Sequence, residues 1–169
     1  MADKYLSNSN GKLREVISTD ASTGTAEAGK IVSLDNSGRL DPTLMPVGVG
    51  PDTTAVAATE AIAAGAIVNV FDDGGTIGVR NADGTSDGKD VTGFVMDAVA
   101  SGDDAQIFFE GIVTGLSGLT PGVRYYLSNT AGTITSTPLT GAGEVSQFVG
   151  RSISATELQF EPGPAIVLA

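Results

Sequence analysis

Acidic side chains are the residues of this sequence best suited to chemistry, because other common catalytic types are missing. The chain has 169 residues and contains neither His nor Cys. It therefore lacks the commonest general base, the commonest transition-metal ligand and any thiol nucleophile. Its 20 acidic residues leave carboxylate catalysis and metal binding through oxygen ligands as the chemistry to test.

A pair of carboxylates can hydrolyse a glycosidic bond, and four glutamates are candidates for such a pair. Glu110 and Glu161 follow similar strand sequences, and Glu144 and Glu157 are further candidates. Sugar clefts usually need aromatic platforms, however, and the chain has no Trp, 3 Tyr and 6 Phe. We therefore predict no catalytic residues and a protein that is not an enzyme.

A Gly-rich loop carries Asp83, Asp87 and Asp90, whose oxygen atoms could suit a calcium ion. The EF-hand spacing and its terminal Glu are absent, and Lys89 opposes a bound cation. The pattern is more typical of a solvated turn, in which Asp and Gly supply the local hydrogen bonds and backbone freedom. The sequence predicts no metal site.

The segment from Gly24 to Lys30 has the Gly and Lys spacing of a phosphate-binding loop. Ile31 stands where Ser or Thr should hold the magnesium ion, and Glu27 would direct negative charge at the phosphates. No apolar strand precedes the segment. We therefore predict no nucleotide or other cofactor.

The net charge excludes some partners. Against the 20 acids stand 9 Lys and Arg, which gives a formal net charge of −11. Nucleic-acid binding and docking on anionic membranes both need a basic face, so neither partner is expected. The polar first residues do not resemble a secretory signal, and the weakly polar run 55–71 is interrupted by Glu60, Gly65 and Asn69, so no membrane span is expected.

Charge divides the chain near Pro51. Residues 1–50 carry 5 basic and 6 acidic residues, whereas residues 51–169 carry 4 basic and 14 acidic ones. The first part has sparse apolar residues separated by turn formers, so it buries too little to order alone. We interpret residues 1–50 as an extended N-terminal docking arm and residues 51–169 as a β-rich body.

The arm carries apolar pairs and basic residues that have no obvious partner in the acidic body. A chain that wraps along a surface and pairs with its strands needs this kind of spacing. The residues that we expect to make the attachment are Val16, Ile17, Lys30, Ile31, Val32, Arg39, Leu44 and Met45.

Short runs rich in Val, Ile, Thr, Tyr and Phe, separated by Gly, Asp and Asn turns, predict strands throughout the body. The expected strands lie near 66–71, 76–80, 91–99, 104–110, 112–114, 123–127, 133–137, 145–153, 156–161 and 165–168. The predicted fold class is mainly β, a compact β-barrel or β-sandwich body preceded by the extended arm.

An internal repeat indicates that the body consists of two similar β units, at about 65–114 and 122–163. Gly65 to Ile77 aligns with Gly122 to Ile134, and each segment leads into a long strand and then a closing strand. In the long strands Phe94 aligns with Phe148, so the alignment predicts that both rings face the core between the units.

Parts of the sequence resemble structural proteins of tailed bacteriophages. The segment from Ala28 to Leu40, followed by Leu44-Met45-Pro46, resembles the amino-terminal region of small virion proteins. The β core of capsid decoration (cement) proteins is similar to Ala64 to Val70 together with Gly93-Phe94-Val95. A module shared by phage head and tail proteins is similar to Gly118 to Ser128 together with Val149 to Leu158.

The resemblance implies a head decoration protein that binds the major capsid protein on the outer surface of the shell and stabilises it against internal DNA pressure. It also implies a homotrimer, present in the host cytoplasm before assembly and in the virion afterwards. The alternative is a tail-associated fibre or baseplate protein that uses the same module for attachment or glycan binding. A polysaccharide-active enzyme on a carboxylate pair is the third hypothesis. The absence of a repetitive fibre shaft favours the head.

Overall fold

The chain is almost entirely β in the computed structural model, which describes residues 4–22, 24–34, 38–41, 44–45 and 52–169. It divides into two compact units, Met1–Gly50 and Pro51–Ala169. The prediction of a mainly β fold is confirmed. The described strands form open antiparallel sheets rather than a closed barrel, so the barrel alternative is wrong.

The first unit contains a β-hairpin of strands β1 (Lys4–Ser9) and β2 (Lys12–Ile17). Asn10 and Gly11 form its turn with φ angles of 53° and 76°, and positive φ at both central residues is what a type I′ hairpin turn needs. This hairpin differs from the extended arm that the sequence predicts for residues 1–50. Cross-strand pairing now satisfies backbone groups that an isolated extended chain would leave to water.

The segment after the hairpin folds back in the same unit. Thr19 bridges Val32 in parallel, with the Thr19 N–H donating to the Ile31 carbonyl at 3.0 Å and the Ser33 N–H donating to the Thr19 carbonyl at 2.8 Å. The hydroxyl of Tyr5 accepts a hydrogen bond from the Ile31 N–H at 3.2 Å, which ties this loop to the hairpin. A single 3₁₀ turn, Thr25–Glu27, lies within the loop.

The body contains a first five-stranded antiparallel sheet, here called sheet one. Its order is β3 (Thr53–Ala57), β7 (Asp104–Phe108), β6 (Gly93–Val95), β4 (Ile67–Asp73) and β5 (Thr76–Asn81). The bounds of β4, β5, β6 and β7 overlap the strands predicted at 66–71, 76–80, 91–99 and 104–110, since β-branched and aromatic runs between Gly and Asp turns are a direct strand signal. Strand β3 lies before the first predicted range.

The second five-stranded sheet, sheet two, repeats the arrangement of sheet one. Its order is β8 (Gly111–Val113), β13 (Leu158–Phe160), β12 (Phe148–Ser152), β9 (Arg124–Leu127) and β10 (Ile134–Thr135). In both sheets the first strand in sequence lies at one edge, beside the last, and the hairpin lies at the other edge. The prediction of two similar β units is confirmed.

The repeat boundary differs from the sequence alignment. The sequence alignment places strand β8 at the end of the first repeat. In the structure β8 pairs with β13 and is the first strand of the second repeat. The repeated strands therefore span 53–108 and 111–160. The remaining strands, β11 (Val145–Ser146) and β14 (Ile166–Val167), form a separate pair.

The prediction that Phe148 faces the core, as Phe94 does, is wrong. Phe94 pairs with Ile67 and Phe108 in the middle of sheet one, whereas Phe148 pairs with Tyr126 in sheet two. Phe148 lies before a register shift in β12. An extra residue in one strand displaces the residues after it, so residue-type matching placed Phe148 in the core. Phe148 is half-buried, outside the core.

The main core lies between the two sheets. Ile67 and Phe94 of sheet one meet Tyr125, Leu158 and Phe160 of sheet two in one buried cluster. The other face of sheet one carries a second buried cluster, made by residues from its strands together with Ala58, Ile62 and Ala66 of the segment that follows β3. Residues of sheet one are therefore buried on both of its faces.

The buried amide of Gln147 joins distant segments of the body. Its oxygen accepts from the Val91 N–H at 2.7 Å, and its nitrogen donates to the Val91 carbonyl at 3.1 Å and to the Gly163 carbonyl at 3.0 Å. A buried backbone group left unpaired costs about 1–3 kcal/mol. One side chain therefore satisfies three backbone groups, and it joins the segment before β12 to the segment before β6 and to the one after β13.

Candidate attachment surface

Several acidic residues accept hydrogen bonds within turns. Asp72 accepts a hydrogen bond from the Gly75 N–H at 2.7 Å in the β4–β5 turn. Asp83 accepts from the Thr85 N–H at 2.8 Å and lies 3.7 Å from the Lys89 ammonium. Glu144 accepts from the Gly141 N–H at 2.6 Å. Within the described ranges, no three acidic residues are grouped so that they could hold a metal ion.

The loop with phosphate-binding spacing is occupied by its own ion pair. The Lys30 ammonium lies 2.7 Å from a carboxylate oxygen of Glu27, three residues earlier. Both side chains are partly shielded from solvent. The lysine charge is therefore directed towards Glu27. Lys30, one of the predicted attachment residues, is paired within its own loop.

No helix in the described part of the chain has the length and apolarity to cross a membrane.

One face of the β1–β2 hairpin carries three exposed aliphatic side chains beside Asn8 and the surface ion pair of Lys4 and Glu15, and is here called the apolar hairpin face. The cross-strand register places Leu6, Leu13 and Ile17 on the same side of the ribbon, opposite the side of Tyr5 and Val16. Their exposed fractions are 68%, 70% and 51%. Large aliphatic side chains displayed together in this way are typical of a surface that a partner covers.

Of the predicted attachment residues on the strands, Ile17 and Val16 differ in environment. Ile17 belongs to the apolar hairpin face, whereas Val16 is half-buried on the other side with Tyr5. The structure therefore separates a pair that the sequence analysis treated as one unit. The alternation of a strand explains the separation, because neighbouring side chains point to opposite faces.

The loop residues predicted for attachment fall into two groups. Ile31 and Met45 are exposed, and Arg39 is exposed as well. Lys30, Val32 and Leu44 line one small cavity of about 230 Å³. The structure thus brings three of the predicted residues together, although they are up to 14 positions apart in the sequence.

Leu6 and Leu13 are surface residues that the sequence analysis missed. The signal was present, because Asn10-Gly11 between two alternating segments is a strong hairpin signature. Recognising the turn fixes the register, and the register then places Leu6, Leu13 and Ile17 on one face. Read only as general turn formers, Asn10 and Gly11 leave the register of the two strands open.

Exposed large apolar residues are concentrated in the first unit. Among the described residues, eight of them lie in the first 45 positions, and five lie in the much longer body. The first set is Leu6, Leu13, Ile17, Ile31, Val32, Leu34, Leu40 and Met45; the second is Ile77, Ile112, Ile153, Ile166 and Val167. The first unit is therefore the part of the chain with the most apolar surface available to a partner.

A cleft of about 530 Å³ opens beside the main core, between the ends of the two sheets. Residues of 63–66, 115–118 and 131–136, most of them small, form most of its wall, and Leu119 and Tyr125 line it as well. No charged side chain lines this cleft, all of whose wall lies in the described residues 63–158. Its lining offers shape and backbone groups but no acid or base for catalysis.

Comparisons with known proteins give one structural similarity to report. No protein family model matches the chain, and no curated protein matches it. Among solved structures, the head fibre gp8.5 N base of bacteriophage phi29 is similar at a TM-score of 0.42 and 15% identity. The alignment covers 66% of this chain and 95% of that chain. At this TM-score and identity, the similarity supports no conclusion about fold or function.

Proposed function

We propose that the chain is a structural protein of a bacteriophage head, and specifically a decoration protein that attaches to the outer surface of the major capsid protein shell. The observation that carries the proposal is the concentration of exposed aliphatic side chains in the first unit. The sequence resemblance to small phage virion proteins supports the same role. The proposed protein is not an enzyme and needs no cofactor.

The attachment surface in this proposal is the apolar hairpin face together with the exposed loop residues, Leu6, Leu13, Ile17, Ile31, Val32 and Met45. Burying an exposed aliphatic side chain contributes about 1.5–3 kcal/mol at most. Several such residues are needed, because association first has to offset the lost freedom of the free protein. Many identical copies on a symmetric shell would then reinforce individually modest contacts.

The acidic body has a separate role in the proposal. Residues 51–169 carry 14 acids against 4 basic residues, so free copies repel one another at long range and stay soluble in the host cytoplasm before assembly. Their self-association into a homotrimer then depends on specific short-range contacts. Neither nucleic acid nor membrane is an expected partner of such a surface.

The test is a binding assay with heads that lack the protein. We expect the full-length variant Leu13→Ser/Ile17→Ser/Ile31→Ser to bind at least about 100-fold more weakly than the wild type, since each substitution forfeits about 1–2 kcal/mol of burial and each 1.4 kcal/mol is about tenfold. Binding is measured by co-sedimentation over a range of protein concentrations.

The matched control is the variant Ile77→Ser/Ile153→Ser/Ile166→Ser, which removes three exposed isoleucines from the body instead. It should bind heads like the wild type. Thermal melts of both variants check that the body stays folded. Wild-type binding by the first variant would contradict the proposed attachment surface.

A further inference from the structure

Two arginines lie side by side on the solvent face of sheet two. Arg124 of β9 pairs directly with Arg151 of β12, and the row continues across the sheet through Gln159 and Ile112. All four side chains are exposed. Their neighbours along each strand point inward to the core, so this row, here called the arginine row, faces away from sheet one.

The arginine row is unfavourable in the isolated chain. Directly opposite residues in antiparallel strands have Cβ atoms about 4.5–5.5 Å apart, and a pair of like-charged side chains at such positions is destabilising. The Arg124 guanidinium lies 5.2 Å from the centre of the Phe148 ring, and Arg151 donates to the Gly122 carbonyl at 2.7 Å. Neither arginine forms an ion pair with an acid in the described part of the chain.

The arrangement is more notable because the body has so few cations. Arg124 and Arg151 are two of the 4 basic residues in residues 51–169. Of the other two, Lys89 forms an ion pair with Asp83. Arg80 donates hydrogen bonds to the Asn69 side-chain oxygen and to the Gly88 carbonyl. The two cations without a polar side-chain partner therefore lie next to each other on an open sheet face. A partner that carries carboxylates would remove their repulsion.

A second surface of the same body has the complementary character. Asp97, Asp103 and Asp104 line a cavity of about 300 Å³ where β6 connects to β7, together with apolar wall residues that include Met96 and Phe108. The three aspartates are exposed, and none forms an ion pair within the described residues. They are not grouped closely enough to hold a metal ion. We call this surface the aspartate cavity.

We propose that the arginine row of one copy docks into the aspartate cavity of a second copy. Arginine fits such a cavity, because its carbon stem packs on apolar walls while its guanidinium forms paired hydrogen bonds with carboxylates. The two surfaces belong to different sheets, so the contact joins unlike patches head to tail. Contacts of this type close into rings, trimers among them, when the rotation from one copy to the next closes on itself, and otherwise extend into filaments.

This inference rests on the self-association included in the proposed function, and it assigns the residues that make it. Charge complementarity favours a second copy as the occupant, because the chain itself supplies both the unpaired cations and the unpaired acids. The contact between arginine row and aspartate cavity also explains how copies with a net charge of −11 could associate. The attraction acts at short range, whereas salt screens the repulsion between distant charges.

The test is a charge swap in the full chain, read as mass by light scattering at micromolar concentrations. The wild type should have the mass of three chains. The variant Arg124→Glu/Arg151→Glu and the variant Asp97→Arg/Asp103→Arg should each have the mass of one chain. A chain that carries all four substitutions should regain the wild-type mass, because the opposite charges face each other again with the signs exchanged.

The control is Lys12→Glu/Arg14→Glu, which makes the same charge change at two exposed hairpin residues and should keep the wild-type mass. Thermal melts confirm that each variant is folded. A wild-type mass in either single-surface variant, or a monomeric fourfold variant, would overturn the assigned contact. A monomeric wild type would overturn self-association itself, while the head-binding assay would still decide the proposed attachment.

Discussion

Replacing Gly150 with Ala should destabilise the body by about 3 kcal/mol or more, at the upper end of the usual cost of forcing extra atoms into a packed site. Gly150 lies in β12, in the middle of sheet two, opposite Phe160 of β13. A Cβ atom at this position would overlap the Gln159 carbonyl oxygen and lie 3.2 Å from a methyl group of Leu158. The first neighbour is backbone, so no side-chain rotation relieves the clash.

The strand pairing itself would have to change. Residues Gly150 to Ser152 of β12 pair with Leu158 to Phe160 of β13, and β12 also pairs with β9, so both neighbours resist movement. Since a domain of this kind is stable by only about 5–15 kcal/mol, the loss is a large share of the total. Chemical denaturation, followed by circular dichroism, measures it.

Gly163→Ala is the matched control for this substitution. A Cβ atom there would meet Phe148 at 3.5 Å, an ordinary van der Waals distance. We expect its free energy of unfolding to stay within about 0.5 kcal/mol of the wild type. Equal stability of the Gly150 variant and the control would mean that β12 and β13 do not pair in the register described.

Replacing Phe94 with Ala should lower the free energy of unfolding by about 3–5 kcal/mol, the usual cost of removing a buried aromatic ring. Phe94 is 1% exposed and lies between the sheets. Its ring centre is 5.4 Å from that of Phe108 and 5.1 Å from that of Phe160. Removing the ring would therefore open a cavity between sheet one and sheet two.

Phe148→Ala is the informative comparison, because the sequence alignment expects the same large loss at both phenylalanines. The structure places Phe148 outside the core, against Tyr126 at a ring distance of 5.9 Å. We expect a loss of about 1 kcal/mol, within the ordinary range for a partly exposed site. Similar losses for the two variants would support the alignment and contradict the register shift in β12.

The sequence predicted the positions of the strands in the body much better than the register in which they pair. Runs of β-branched and aromatic residues between Gly and Asp turns located the strands, and the repeat implied two similar units. The register depends on the bulge between Phe148 and Gly150, which adds a residue without a distinctive residue type. A shift of this kind moves a phenylalanine from the core to the surface while the strand remains correctly placed.

The surfaces were predictable to different degrees. The apolar hairpin face follows from the Asn10-Gly11 signature once the turn type is recognised. The arginine row does not, because Arg124 and Arg151 are 27 positions apart and become neighbours only when β9 pairs with β12. The same holds for the cavity lined by Val32 and Leu44, since these two residues are 12 positions apart in the sequence.

The most direct test of the account is to image phage particles with and without this protein by electron cryo-microscopy. We expect the particles that lack it to lose density on the outer surface of the head, and to rupture at a lower temperature than complete particles. The lost density should reappear when purified full-length chain is added. Loss of density at the tail instead, or unchanged heads, would contradict a decoration protein of the capsid.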